Sequence, residues 1–240
     1  SGIHRYAHVG TGNYNPKTAR IYEDLGILSA DEVLTEDLTK LFNQLSGFAP
    51  QSTYSRLLVA PRTLRSGLLA KIDREIAHAR AGKAAHIRLK LNSILDEEFV
   101  AKFYEASQAG VKVDLLVRGI CSVQAGVAGL SENVTVRSVL GRFLEHSRIF
   151  YFLNDGDSEY WIGSADLMHR NLDRRVECLV RIFDPAHILQ LEEILNIGIS
   201  DQTQSWRLTG QRWTRQAVAE DGTRLIDAHS HHLNKNLKGS

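Results

Sequence analysis

The sequence predicts an α/β protein with a mixed, largely parallel sheet flanked by helices, and three observations carry that expectation. Short apolar runs of strand length alternate with helix-length stretches through the middle of the chain. Gly, Pro and Asn/Asp clusters mark the joins between them. With 240 residues, 43% of them hydrophobic, the chain can bury one good core or one core and part of another.

Residues 3–9 read as a strand ending in the turn formers Gly10 to Pro16. Ser29 or Asp31 is placed to cap a helix whose Leu34, Leu38, Leu41, Phe42 and Leu45 recur at helical spacing, and Ser46 to Ser55 reads as a linker. Arg56 to Ala60 is a short strand, and Pro61 is expected to open a long helix to about Ala81. Strand His86–Leu91, helix Asp96–Ala109 and strand Val113–Arg118 follow, the alternation expected of right-handed crossovers. The Gly119–Asn133 loop lies at a strand end, a usual ligand position in such sheets. Val134–Leu140 is a further strand, Ile149–Leu153 and Glu159–Ile162 form a hairpin, and strand Val176–Phe183 precedes a helix from Asp184-Pro185 to about Ile197. Residues after about 211 are polar and read as a tail or surface extension.

The net charge of +1 gives no bulk attraction to nucleic acid or anionic membranes, so any anion site must be a local cluster. Two cysteines, Cys121 and Cys178, fit a reducing compartment and match neither a disulfide framework nor a zinc pattern. No apolar run reaches the roughly 18 residues of a membrane span, and no signal peptide opens the chain. Ser1-Gly2 directly before a strand-like run reads as a cloning scar joined to the middle of a domain, so a piece of a longer protein is expected.

Most of the chemistry gathers in Glu145-His146-Ser147-Arg148 and the apolar run after it. The strand period of two puts His146 and Arg148 on one face, which can hold phosphate. A weak internal repeat accompanies them. Gly10-Thr11-Gly12-Asn13 precedes Arg20-Ile21-Tyr22-Glu23 at about the spacing by which Gly163-Ser164-Ala165-Asp166 precedes Arg174-Arg175-Val176-Glu177. The second copy has His146 upstream of its turn, and the symmetry predicts a counterpart histidine ahead of Gly10, beyond the start of this chain.

His146-Ser147-Arg148 followed by Gly163-Ser164-Ala165-Asp166 resembles the HxK and GSxN pattern of the phospholipase D superfamily. With His8 to Asn15, Lys17 to Arg20, Leu116 to Cys121 and Arg174 to Glu177, the set is similar to the C-terminal part of bacterial polyphosphate kinases built on two phospholipase D-like domains. The resemblance implies the end of a first such domain over residues 1–55, a complete second domain over 56–210, and a polar extension over 211–240. It further implies reversible transfer of the terminal phosphate of ATP to polyphosphate, with magnesium, through a phosphohistidine upstream of this chain. His8 matches a position beside the turn and is not that nucleophile. The implied site residues are Tyr22 for ATP, Arg118 for phosphate, His146 as the second essential histidine, and Arg175 and Glu177 near the nucleotide phosphates. No metal ligand is expected within the chain, the magnesium ligands lying elsewhere. The implied partners are ATP or ADP and inorganic polyphosphate in a cytoplasmic homo-oligomer with no nucleic acid and no transmembrane segment; peripheral association with the inner membrane stays open, and the isolated chain is expected to be inactive.

Phosphoryl transfer needs cationic donors around the equatorial oxygens and an in-line nucleophile. Arg118 and Arg175 suit bidentate phosphate contacts. A histidine titrates near neutrality, so His146 can serve as acid, base or plain hydrogen-bond donor. Glu177 is placed to orient His146 or a phosphate-binding arginine, or to pair with Arg148 or Arg174. Tyr22 offers an aromatic face for adenine, or core packing. Gly10, Gly12, Gly163 and Ser164 suit close approach of amides to an anion, and Asn13 and Asp166 are expected to hold neighbours of the active-site histidines. Asp166 and Arg148 depart from the superfamily's usual Asn and Lys, and Leu153 stands near the place of its usual aspartate, which weakens a phosphodiesterase assignment. A dimeric phospholipase D-type phosphodiesterase and a non-catalytic polyphosphate-binding module remain the alternatives. His229, His231 and His232 could bind a metal or belong to a loose tail.

Overall fold

The computed structural model describes residues 4–48, 53–215 and 225–238. The chain opens with β1 (Ala7–Gly10), the two-residue β2 (Tyr22–Glu23) and β3 (Gly26–Ser29), then α1 (Glu32–Leu45). β1 and β3 pair antiparallel with Val9 opposite Ile27. Asp31 caps α1 by accepting from the Leu34 amide at 2.8 Å. Residues 49–52 of the expected linker lie outside the described residues, as does Ile3 of the first expected strand.

The main body begins with β4 (Leu57–Val59) and α2 (Leu64–Arg80). Pro61 does not open that helix: residues 60–62 turn first, and Thr63 binds back to the Val59 amide through its hydroxyl at 2.9 Å. β5 (His86–Leu91), α3 (Glu97–Gln108), β6 (Lys112–Val117) and β7 (Val134–Val139) match the expected alternation. The two-residue β8 (Leu144–Glu145) then leads into β9 (Ile149–Phe152), β10 (Glu159–Gly163), β11 (Cys178–Ile182) and α4 (Pro185–Ser200).

Among the described residues, nine strands form one sheet in the order β13-β12-β7-β6-β5-β9-β10-β11-β4, where β12 is Ser205–Thr209 and β13 is Arg212–Arg215. The class and the mixed character are as expected, but the parallel share is smaller. Pairing is parallel at β5–β6 and β6–β7 and antiparallel at the other junctions. Parallel neighbours need a crossover; β9, β10 and β11 are instead joined by turns and loops that reverse direction, and α4 then carries the chain from β11 to β12, antiparallel beside β7.

Alternation along the strands divides two cores. Phe150 and Phe152 of β9 face the cluster under α2 and α3, with Leu68, Ile72, Phe99 and Phe103, while Ile149 and Tyr151 face the cluster that holds Leu41 of α1 and Leu191 and Leu195 of α4. The sheet is thus a middle layer between two helical ones. The polar extension is more ordered in its described part than a loose tail: β13 joins the sheet edge, and α5 (Ala228–Lys238) packs on α4 with Ala228 and His229 buried. No described helix is long and apolar enough to cross a membrane.

Candidate functional site

The short β2 lies parallel to β8, Tyr22 opposite Leu144 and Glu23 opposite Glu145, and this pairing brings the N-terminal unit to His146. The His146 amide donates to the Glu23 carbonyl at 3.2 Å, and the Tyr22 ring packs 4.4 Å from the imidazole, centroid to centroid. His146 Nδ1 lies 2.8 and 3.1 Å from the two Asp24 oxygens. The carboxylate therefore accepts a hydrogen bond from Nδ1–H and leaves Nε2 as the nitrogen that can exchange a proton with a substrate. Asp24 is itself held by the Thr11 hydroxyl at 2.8 Å. Gly12 makes room for it, since a Cβ there would lie 2.6 Å from the carboxyl carbon.

Arg148 does not reach freely into the cleft. Its Nη2 donates to Asp166 Oδ2 at 3.0 Å, its Nε reaches Oδ1 at 3.3 Å, and its Nη1 donates to the Thr11 carbonyl at 2.9 Å. Nη1 also stands 3.3 Å from His146 Nε2. Asp166 additionally accepts the Asn92 amide at 2.8 Å. Arg148 and Asp166 thus meet each other as a buried ion pair, with Arg148 8% and Asp166 3% exposed.

Among the described residues, Glu177 makes no hydrogen bond or ion pair with His146 or an arginine. It accepts from the Ser164 hydroxyl and from Asn171 Nδ2, the latter at 2.6 Å. The internal repeat has a physical counterpart here: Thr11 to Asp24 and Ser164 to Glu177 are both hydroxyl-to-carboxylate bonds across 13 positions. Asp24 then holds a histidine, whereas Glu177 has none among the described residues. Gly163 proves to be a packing glycine, because a Cβ there would collide with the Cys178 carbonyl across β10 and β11. Among the described residues, Asn13 holds only its own turn, accepting the Asn15 amide at 2.9 Å.

His146, Arg175 and Glu177 share one cleft of about 540 Å³ with Asp166. Arg175 is exposed and without a charged partner among the described residues, as is Arg170 on the same rim. The sequence had not singled out Arg170; a single π-helical turn over Arg170–Arg174, an irregularity common at functional sites, presents it. Tyr22 and Arg118 line an adjoining cavity of about 490 Å³ instead. Arg118 Nε donates to Asn92 Oδ1 at 3.0 Å, and Asn92 Nδ2 reaches the His146 carbonyl at 3.3 Å, so the two predicted residues are joined through a third.

A buried charged network underlies the His146 loop. Lys90 Nζ donates to Glu23 at 2.7 Å and lies 2.6 Å from Glu145, which pairs at 2.6 Å with His229. Burial opposes charge at Lys90, yet the two glutamates outweigh it and raise its pKa. Burial likewise pushes Glu145 up, and Lys90 and His229 hold it well below the ordinary carboxylate range. The expected histidine cluster is dispersed onto acids, His229 to Glu145 and His231 to Glu193. Among the described residues, Asp96, His169 and Asp173 come close enough to hold a metal ion, but Arg65 already donates to both aspartates at 2.6–3.1 Å.

Residues 57–227 match the family model described as polyphosphate kinase C-terminal domain 2, and residues 1–51 match polyphosphate kinase C-terminal domain 1. A polyphosphate kinase of Streptomyces coelicolor is 59% identical over 224 residues, covering 93% of this chain and 30% of that protein. One from Thermosynechococcus vestitus is 52% identical over 236 residues, covering 98% and 32%. The crystal structure of polyphosphate kinase from Porphyromonas gingivalis superposes with a TM-score of 0.90 at 32% identity, over 99% of this chain and 37% of that one. The chain therefore spans about a third of the length of these relatives.

Proposed function

Because the chain belongs to the polyphosphate kinase family as a C-terminal part, we propose that the whole protein reversibly transfers the terminal phosphate of ATP to polyphosphate through a phosphohistidine outside this chain. The observation that carries this reading is the unequal pair of carboxylates. Asp24 holds His146, while its repeat counterpart Glu177 shares the cleft with His146 and has no histidine of its own among the described residues. A second histidine seated at Glu177 would complete a two-histidine site.

In the forward direction the upstream histidine attacks the terminal phosphorus. A P–N bond forms as the P–O bond to ADP breaks, and the phosphoryl group then passes to the end oxygen of polyphosphate with cleavage of the P–N bond. His146, with Nδ1 fixed by Asp24, gives its Nε2 proton to the departing ADP oxygen and recovers one in the reverse step. Arg175, Arg170 and the free nitrogens of Arg118 supply charge for the transferred and neighbouring phosphates. Magnesium would enter with the nucleotide. Asp166 and Glu177 are engaged by Arg148, Ser164 and Asn171, so the cleft offers no ready carboxylate cage for the ion, and its ligands are proposed to lie outside this chain. Tyr22 is assigned to the nucleotide side of the site. A cytoplasmic homo-oligomer is part of the same proposal.

The test is an assay with terminally labelled ATP on the full-length protein, its His146→Ala variant and the 240-residue chain. Labelled polyphosphate is expected from the first alone. Robust synthesis by the 240-residue chain would remove the upstream nucleophile, and turnover of a phosphodiester that depends on His146 would favour the hydrolase alternative.

A further inference from the structure

Two residues of backbone pairing between β2 and β8 are little to hold the loop that carries His146. Side chains supply the rest. Lys90, buried on β5, donates to Glu23, beside Asp24, and to the Ser147 hydroxyl at 2.5 Å, beside His146. The Ser147 hydroxyl also contacts Glu23 at 2.8 Å. Both members of the Asp24–His146 pair are therefore flanked by groups tied to one ammonium.

Glu145 is the third anchor of Lys90, and its other oxygen accepts from His229 Nε2 at 2.6 Å. His229 is 6% exposed and enters from α5. The Phe143 amide points at Nδ1 from 3.3 Å, and Gly141 leaves the ring room that a Cβ would occupy. Helix α5 is pinned at its start, where the Ala228 amide donates to Asp201 at 2.7 Å, and along its length by His231 on Glu193 at 2.8 Å. The Nε2 proton can bridge to Glu145 whether or not Nδ1 is protonated, so the contact is available in either charge state.

We propose that His229 is a positioning residue: its Nε2–H fixes the Glu145 carboxylate and, through Lys90, Ser147 and Glu23, sets His146 against Asp24. The C-terminal helix thereby acts on the Asp24–His146 pair, with which it makes no hydrogen bond among the described residues, in addition to lining the cavity of Tyr22 and Arg118. The geometric part is independent of the reaction; its kinetic consequence rests on the function proposed above.

Side-chain length gives a test. In the full-length protein, His229→Gln puts an amide N–H near the place of Nε2, whereas His229→Asn reaches only the place of Nδ1 and leaves Glu145 without its donor. Misplacing a proton donor by a fraction of an ångström lowers turnover steeply, so kcat is expected to fall about 10- to 100-fold in His229→Asn with KM within about twofold, and to recover to within about threefold of wild type in His229→Gln. A second readout does not need activity: diethyl pyrocarbonate modification of His146, followed by peptide mass spectrometry, is expected to change several-fold in His229→Asn and to match wild type in His229→Gln. The proposal is overturned if His229→Asn behaves as wild type in the modification assay, or if His229→Gln is as disturbed as His229→Asn. If the modification pattern is as expected while wild-type protein makes no polyphosphate, the positioning role stands and the proposed reaction falls.

Discussion

Asp24 and His146 are 122 positions apart in the chain and 2.8 Å apart in the structure. The carboxylate sets which ring nitrogen carries the proton, so its replacement by an amide should spare binding and slow the chemistry. Asp24→Asn in the full-length protein is expected to lower kcat about 10- to 100-fold, less than the roughly 100- to 10,000-fold loss expected for His146→Ala. Steady-state kinetics in both directions of transfer measure this; equal losses in the two variants would make Asp24 essential for something other than tautomer choice.

Gly12 should behave as a silent partner of that pair. Its α-carbon faces Asp24 so closely that an added methyl must displace the carboxylate. Gly12→Ala is expected to depress kcat about tenfold while shifting thermal unfolding by only a few degrees, since the segment is partly exposed and Asp24 can swing toward solvent. A normal kcat would show that His146 tolerates a displaced Asp24.

Arg148 and Asp166 are expected to stand or fall together. Asp166→Asn leaves a buried guanidinium with neutral acceptors and should cost about 3–5 kcal/mol in denaturant unfolding. Adding Arg148→Met removes the stranded charge and should recover most of the loss. Additive losses in the double variant would mean that the two residues do not act as a unit.

Acid sensitivity should trace in part to Glu159 on β10. Burial pushes its carboxyl up, but Lys71 at 2.7 Å and Arg74 at 2.6 Å prevail and bring it down to about 2. A depressed carboxylate contributes stability in full above its ordinary 4.5 and loses it as pH falls toward about 2. Burial draws the Lys71 ammonium down as well. The carboxylate nonetheless stays ionised, because Arg74 and the Trp161 indole at 3.0 Å also serve it. Glu159→Gln should be less stable at pH 7 and lose less between pH 4.5 and 2 than wild type, measured by denaturant titration at each pH. Parallel losses would assign the acid limb elsewhere.

What could be read in the sequence was what periodicity and punctuation encode. β5, α3, β6, β7 and the β9–β10 hairpin lie within a residue or two of their expected bounds because each carries a clear apolar period and a Gly or Asp boundary. β2 and β8 were invisible, since two residues have no period, and with them went the Asp24–His146 contact. His146 stood out by its neighbours, whereas Asp24 could have been found only by keeping Thr11 against Ser164 and shifting the second half of the repeat one position, to set Asp24 rather than Glu23 against Glu177. The engagement of Arg148 by Asp166 was legible only as two departures from a pattern, with nothing in either residue to say that they compensate. α5 was read as a polar tail or surface extension because its strongly buried anchors, Ala228 and His229, lie among other histidines and polar residues.

The brief pairing of β2 with β8 also bears on how the protein is made. Tyr22 to Asp24 leave the ribosome long before His146 does, and they have no partner strand until residues 144–145 follow. Chains fold from the N-terminus as they emerge. The Asp24–His146 couple is therefore closed to any nascent chain that has not yet reached residue 146, and translation times the assembly of the clasp.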